Sequence, residues 1–168
     1  MRYSAPLGDI LSKESTISWE EREMMDFNEC VQKKDIECAD PRFIFTIIPH
    51  FCGQDPMCIM PSAWSLGQAK KNAIESFDVV GYLEQYEQFV QVVEYIFPQY
   101  FKGALKVYRD ISNNPSVQHK SNASTVISAK TRAVLMARKD IQLEYEFYNF
   151  IKRNFDNMYK NLSACLQE

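Results

Sequence analysis

The sequence predicts an α/β fold, rich in helix and built on a small parallel sheet. Two runs predict the strands. Arg42-Phe43-Ile44-Phe45-Thr46-Ile47-Ile48 concentrates β-branched and aromatic residues between Pro41 and Pro49, the pattern of a buried strand. Asp78-Val79-Val80-Gly81-Tyr82 reads as a second, short strand ending at glycine. Each run is followed by apolar residues at helical spacing. The order strand, helix, strand, helix implies a parallel arrangement.

The elements follow in chain order. Residues 1–26 carry little periodicity and read as irregular, with a short helix expected over Glu20 to Cys30. Gly53 to Pro61, with Pro56 inside it, reads as a loop closed by its own cysteines. Ser62 is a plausible N-cap for a helix to about Phe77, carrying Trp64, Ala69 and Ala73. Leu83, Tyr86, Val90, Val93 and Phe97 form one stripe of the next helix, which Pro98 stops. Phe101 to Arg109 is a further short helix, and Asp110 to Thr125 a polar loop. Ser128 to Leu162 is strongly helical, with a break near Lys139. Leu143, Phe147, Ile151, Phe155, Met158 and Leu162 are its buried stripe, read as ordinary core.

The 168 residues suffice for one domain with a real core. Hydrophobic residues at 46% against 24% charged exclude a disordered chain. A net charge of −3 argues against a generic nucleic-acid binder. The longest apolar stretch, Phe43 to Ile48, is far too short to span a bilayer. Tyr3 to Glu14 is mixed and polar, unlike a secretory signal.

Five cysteines nevertheless point to an oxidising compartment. Cys30 and Cys38 are close in sequence, as are Cys52 and Cys58, and both spacings suit small disulfide loops worth about 2 kcal/mol each. Free thiols and a zinc site are the alternatives. Intervals of seven and five residues fit the paired spacings of a four-cysteine zinc site poorly. Cys165 is left over. Secreted-type cysteines without a signal lead us to expect an N-terminal part outside this sequence.

No complete active site is legible. The sequence holds no phosphate loop, no dinucleotide fingerprint and no metal-ligand cluster, so no metal is expected. It has two histidines: His50 ends the apolar run, where a structural role fits better than a general base, and His119 lies in the polar loop. The acid pairs Glu84/Glu87 and Glu144/Glu146 read as solvated faces or local ion pairs. Lys102, Lys106 and Arg109 share one helix face, suited to a phosphate or a sulfated glycan or simply to solvent. Asn122-Ala123-Ser124 and Asn161-Leu162-Ser163 are N-glycosylation sequons.

Several blocks stand in order along the chain. They are Asn28-Glu29-Cys30, Asp40-Pro41-Arg42, the run from Pro49 through Phe51-Cys52-Gly53-Gln54-Asp55-Pro56-Met57-Cys58, Trp64, Ala69-Lys70, Val79-Val80-Gly81, Tyr100-Phe101-Lys102-Gly103 and Glu144-Tyr145-Glu146-Phe147-Tyr148. In these blocks the sequence resembles the uronyl 2-O-sulfotransferases and, more loosely, heparan sulfate 2-O-sulfotransferase. Gln54-Asp55-Pro56 and the short interval from Cys58 to Trp64 favour the uronyl branch.

The resemblance implies a P-loop-type α/β fold, with residues 27–168 as the C-terminal part of a sulfotransferase domain. It implies sulfuryl transfer from 3′-phosphoadenosine 5′-phosphosulfate to the 2-hydroxyl of uronic acids in dermatan, chondroitin or heparan chains. In such a family the phosphate-loop lysine and the catalytic histidine lie upstream of the matched region, so no catalytic residue is assigned here and the chain alone is expected to be inactive. Tyr108 matches a tyrosine that contacts the adenosine bisphosphate. By position, His119, Asn122 and Ser124 are candidates for its 3′-phosphate, with Lys130 behind them. Asn122 cannot both carry a glycan and line that site. The family further implies a homotrimer, a glycosaminoglycan partner, and a Golgi lumenal domain on a single-pass type II anchor absent from this sequence. A secreted, non-catalytic glycan- or protein-binding module on the same scaffold is the rival reading, and a helical interaction protein with free cysteines is a third.

Overall fold

Caps and prolines decide the local structure more than β-branched runs do. A computed structural model describes residues 18, 20–21, 25–114 and 126–165. Asp26 accepts from the Glu29 N–H at 2.8 Å and starts α1 (Phe27–Lys33). Asp35 and Asp40 do the same for α2 (Ile36–Ala39) and α3 (Pro41–Ile44). These aspartates accept the first free N–H groups of each helix and place negative charge at its positive end. Next come α4 (Ile47–Cys52), a 3-10 turn (Pro56–Ile59) begun by Asp55, and α5 (Ala63–Glu75). Ser62 accepts from Ser65 N–H at 3.1 Å at the start of α5, as its position predicts. The chain continues through α6 (Tyr86–Ile96), α7 (Pro98–Phe101), α8 (Ala104–Ser112), α9 (Ala129–Met136) and α10 (Lys139–Cys165).

The two expected strands are absent, and with them the small parallel sheet: no strand occurs among the described residues. Arg42–Ile48 instead contributes to α3 and α4. Pro41 and Pro49 account for the difference. Pro41 is the first residue of α3 and Pro49 the third of α4, both within a first turn. There no intrahelical N–H bond is required, so proline is tolerated and its φ suits the helix. The prolines that bracket a strand in sequence open helices in space. Asp78–Tyr82 remains without regular structure, with Val79 and Tyr82 packed in a cluster with Val92 and Phe155. Tyr82 is 8% exposed, its hydroxyl donates to Asp156 at 2.7 Å, and its ring meets Phe155 edge-on. Gly81 is required there, because a Cβ would sit 2.5 Å from the Phe89 ring.

The chain forms two compact units. The first comprises residues 1–69 and 122–144. Its core is Cys30, Val31 and Cys38, with Met25 and Leu135 packed against it. Asn28 fastens the segment before α9, donating to the Val126 carbonyl at 2.9 Å and accepting from the Ser128 N–H at 2.8 Å. Disulfides join Cys30 to Cys38 and Cys52 to Cys58, with Cα atoms 5.9 and 5.5 Å apart. The side chain of Cys165 lies outside the described residues.

The second unit comprises residues 70–121 and 145–168. Tyr82, Val92 and Phe155 form its core, flanked by Val79, Phe89, Tyr148 and Met158. The expected α6 stripe is kept in part, with Val90 and Phe97 half-buried. Val92 and Val93 are buried, whereas Leu83 and Tyr86 are exposed. The expected stripe of α10 is correctly phased: Leu143, Phe147, Ile151 and Phe155 are all buried.

Candidate functional site

In the second unit, a groove of ≈ 440 Å³ lies along α6 and α8, walled by Tyr86, Phe89, Val93, Tyr100, Lys102 and Tyr108. Its shape follows from the turn between the two helices. Pro98 opens α7, and Gly103, at φ 87°, turns the chain into α8. Gly103 has no side chain with which to cap α8. Glu94 supplies the missing acceptor from α6: its two oxygens accept from the N–H groups of Gly103 at 2.7 Å and Leu105 at 3.0 Å. The Gly103 donor first, and then the Leu105 donor, hold the Glu94 carboxyl below its ordinary value.

Tyr108 is half-buried on α8, with its ring 5.3 Å from that of Tyr86. Its hydroxyl makes no hydrogen bond among the described residues. The cationic face expected from Lys102, Lys106 and Arg109 is largely neutralised. Lys106 pairs with Asp110 at 2.8 Å, and Arg109 with Glu87 at 2.7 Å. Lys102 alone of the three has no carboxylate partner among the described residues. The groove thus combines flat aromatic faces, a free phenol and one free ammonium. That set suits a planar ring bearing an anionic group.

The other sequence candidates fare variously. His119, Asn122 and Ser124 lie outside the described residues, as does the loop Gln118–Thr125. Lys130 is on α9 and reaches Gln32 at 3.3 Å. His50 is exposed in the last turn of α4, edge-on to Phe51. Asn161 is exposed within α10, and the Ser163 hydroxyl of its sequon donates to the Tyr159 carbonyl at 2.8 Å. No metal-ligating cluster occurs among the described residues. Among those residues, no helix is long and apolar enough to cross a membrane.

Glu144 departs most from its expected solvated position. It is 9% exposed, and one oxygen accepts from Ile47 and Ile48 N–H at 3.0 and 3.2 Å, capping α4. Its second oxygen has no partner among the described residues. Glu146 pairs with Lys70 at 2.6 Å and Glu84 accepts from the Tyr148 hydroxyl at 3.1 Å, partners 76 and 64 residues away rather than the local ion pairs expected. Glu94 and Glu144 act on backbone nine and 97 residues away, so no local pattern could mark them. Many of the recognisable blocks are framework: Asn28, Asp40, Asp55, Glu144 and Phe147 cap, fasten or fill.

No family model matches the sequence. Among curated proteins, the chain is 39% identical over 140 residues to uronyl 2-sulfotransferase of Homo sapiens, covering 81% of the chain and 33% of that protein. It is 37% identical over 147 residues to uronyl 2-sulfotransferase of Mus musculus, covering 85% and 35%. It is 35% identical over 130 residues to heparan sulfate 2-O-sulfotransferase 1 of Xenopus laevis, covering 77% and 36%. The chain therefore spans about a third of the length of these relatives.

Proposed function

Because this chain belongs to the uronyl 2-O-sulfotransferase family, related to heparan sulfate 2-O-sulfotransferase, we propose that it forms part of an enzyme that sulfates glycosaminoglycans. The donor is 3′-phosphoadenosine 5′-phosphosulfate, and the acceptor is the 2-hydroxyl of a uronic acid. The acceptor oxygen bonds to sulfur as the sulfur–oxygen bond to the nucleotide breaks, and the hydroxyl proton goes to a base outside these residues. The observation that carries the reading is the 39% identity over 140 residues. Two disulfides support lumenal residence, the Golgi being the compartment proposed. The proposal includes a P-loop-type domain to which these helices contribute the C-terminal part.

In this reading the aromatic groove of the second unit faces the nucleotide. Tyr108 offers a ring face and a free hydroxyl, and Lys102 offers a charge to a phosphate; His119, Asn122 and Ser124 stay candidates for the 3′-phosphate by sequence position alone. The chain contributes no phosphate-cradling loop and no assigned base, groups that each typically supply orders of magnitude in rate. The expected result is transfer of labelled sulfate to desulfated dermatan or heparan by the complete enzyme and none by the 168-residue chain. Transfer by the chain alone would overturn the division of labour, and failure of the complete enzyme with every uronic acid acceptor would overturn the activity.

A second measurement addresses the groove. Tyr108→Ala in the complete enzyme should weaken adenosine bisphosphate binding by roughly 1–3 kcal/mol, the range of a lost ring contact or hydrogen bond. Melting should change little, since the ring is only half-buried. Calorimetric titration reads the first and thermal unfolding the second. Unchanged affinity in a folded variant removes Tyr108 from the nucleotide site.

A further inference from the structure

The first unit contains a cavity of ≈ 480 Å³ beside the Cys30–Cys38 disulfide. Its lining holds three cations, Lys34, Arg138 and Lys139, against one carboxylate, Asp140. The cations are held in two different ways. Arg138 is engaged internally: its guanidinium donates to both oxygens of Asp140, and a third N–H reaches the Cys38 carbonyl at 2.9 Å. Asp140 is 5% exposed. Burial opposes its ionisation, but Arg138 and the neighbouring backbone prevail and keep its carboxyl below the ordinary value. That pair is a neutral, rigid part of the wall.

Lys34 and Lys139 are exposed, and neither has a carboxylate partner among the described residues. The nearby acids are engaged elsewhere. Asp35 is buried and caps α2, Asp40 holds Arg42 at 2.6 Å, and Glu29 holds Lys33 at 2.8 Å. The backbone at Lys34 is also unusual. Among the described residues it is the one non-glycine with positive φ, at 56°. Its N–H closes α1 on the carbonyls of Cys30 and Val31, a cap normally given to glycine or asparagine. A lysine there carries a modest backbone cost. The disulfide and the Arg138–Cys38 hydrogen bond fix the wall on which the two free ammonium groups stand.

We propose that this cavity binds an anionic group of a saccharide chain, a sulfate ester or a uronate carboxylate, between Lys34 and Lys139. The volume lies in the range of ordinary small-ligand sites. The ligand class rests on the glycosaminoglycan reading above. Free sulfate shares this chemistry, and the site is assigned to the saccharide.

The test is calorimetric titration of the 168-residue chain with a size-defined sulfated dermatan oligosaccharide at fixed low salt. Lys34→Gln/Lys139→Gln should bind about tenfold more weakly, two exposed ion pairs together being worth about 1.4 kcal/mol. The corresponding Arg/Arg variant should retain affinity. Lys71→Gln, which removes an exposed lysine paired with Glu75, should have no effect. Inorganic sulfate should compete only at far higher concentration. All variants lie on the surface, and unfolding curves should superimpose. Equal binding by the Gln/Gln variant overturns the site. An equal loss in Lys71→Gln shows diffuse charge attraction and also overturns it. Sulfate binding as tightly as the saccharide overturns the ligand class. Absence of saccharide binding by the unmodified chain removes this inference and leaves the sulfuryl-transfer reading to its own assay.

Discussion

Phe155→Ala is expected to destabilise the chain by about 4 kcal/mol, the usual cost of emptying a phenylalanine site in a core. The reason is local to the second unit. Phe155 is 1% exposed and is surrounded by rings: Tyr82 edge-on at 5.8 Å, Phe89 at 6.4 Å and Tyr159 stacked at 6.4 Å. Removing it leaves a cavity these rigid rings cannot close, and the Tyr82 segment loses its packing surface. Phe155→Leu preserves most of the volume and should cost roughly half as much or less. Denaturant unfolding of both variants measures the difference, and the alanine variant should melt roughly 10 °C lower. A loss below about 1 kcal/mol would show that the ring cluster is not the core of that unit.

Glu144→Ala is expected to cost about 1–3 kcal/mol, because it leaves the Ile47 and Ile48 N–H groups without their acceptor, and Ile48 is fully buried. Glu144→Gln keeps an acceptor oxygen and removes the charge. The two substitutions therefore separate hydrogen bonding from ionisation. Burial raises the Glu144 carboxyl above its ordinary value of 4.5, outweighing the opposing pull of the Ile48 and Ile47 donors. Asp140 on the same helix adds to the rise. A raised folded value means that the folded state binds the proton more tightly than the unfolded chain. The stabilisation is full below the unfolded value and is lost as pH rises through the folded one. The stability of the unmodified chain minus that of Glu144→Gln should therefore fall as pH rises above the ordinary value of 4.5, then level off once the folded carboxyl has ionised. A difference that rises over this range would mean that the helix-end donors, rather than burial, dominate the site.

Sequence periodicity revealed some elements and hid others, for identifiable reasons. The long α10 repeats its apolar stripe over enough turns that Leu143, Phe147, Ile151 and Phe155 could be assigned to one face. Ser62 was legible as a cap because its partner, Ser65, is three residues away. The run from Arg42 to Ile48 failed as a strand because its length is shared by two short helices and its prolines serve either structure. The cap that secures α4 comes from Glu144, beyond the reach of any local pattern. The same limit applies to the groove. Tyr108 was singled out through family resemblance, but Glu94, which fixes the turn beside it, was not. The cationic face on α8 was legible as a spacing, whereas its neutralisation by Glu87 and Asp110 partly required the fold, since Glu87 lies 22 residues from Arg109.

The Glu94 bridge has a consequence for recognition. Binding sites made from loose turns lose affinity because the turn must give up its conformational freedom when the ligand arrives. Here the turn from Pro98 to Gly103 is tied at its far end by two hydrogen bonds to a carboxylate on the preceding helix. Its wandering has been suppressed during folding, before any ligand is present. In the proposed nucleotide site the wall carrying Tyr100 and Lys102 is therefore ordered before a ligand arrives, and contacts proposed there carry little entropic discount.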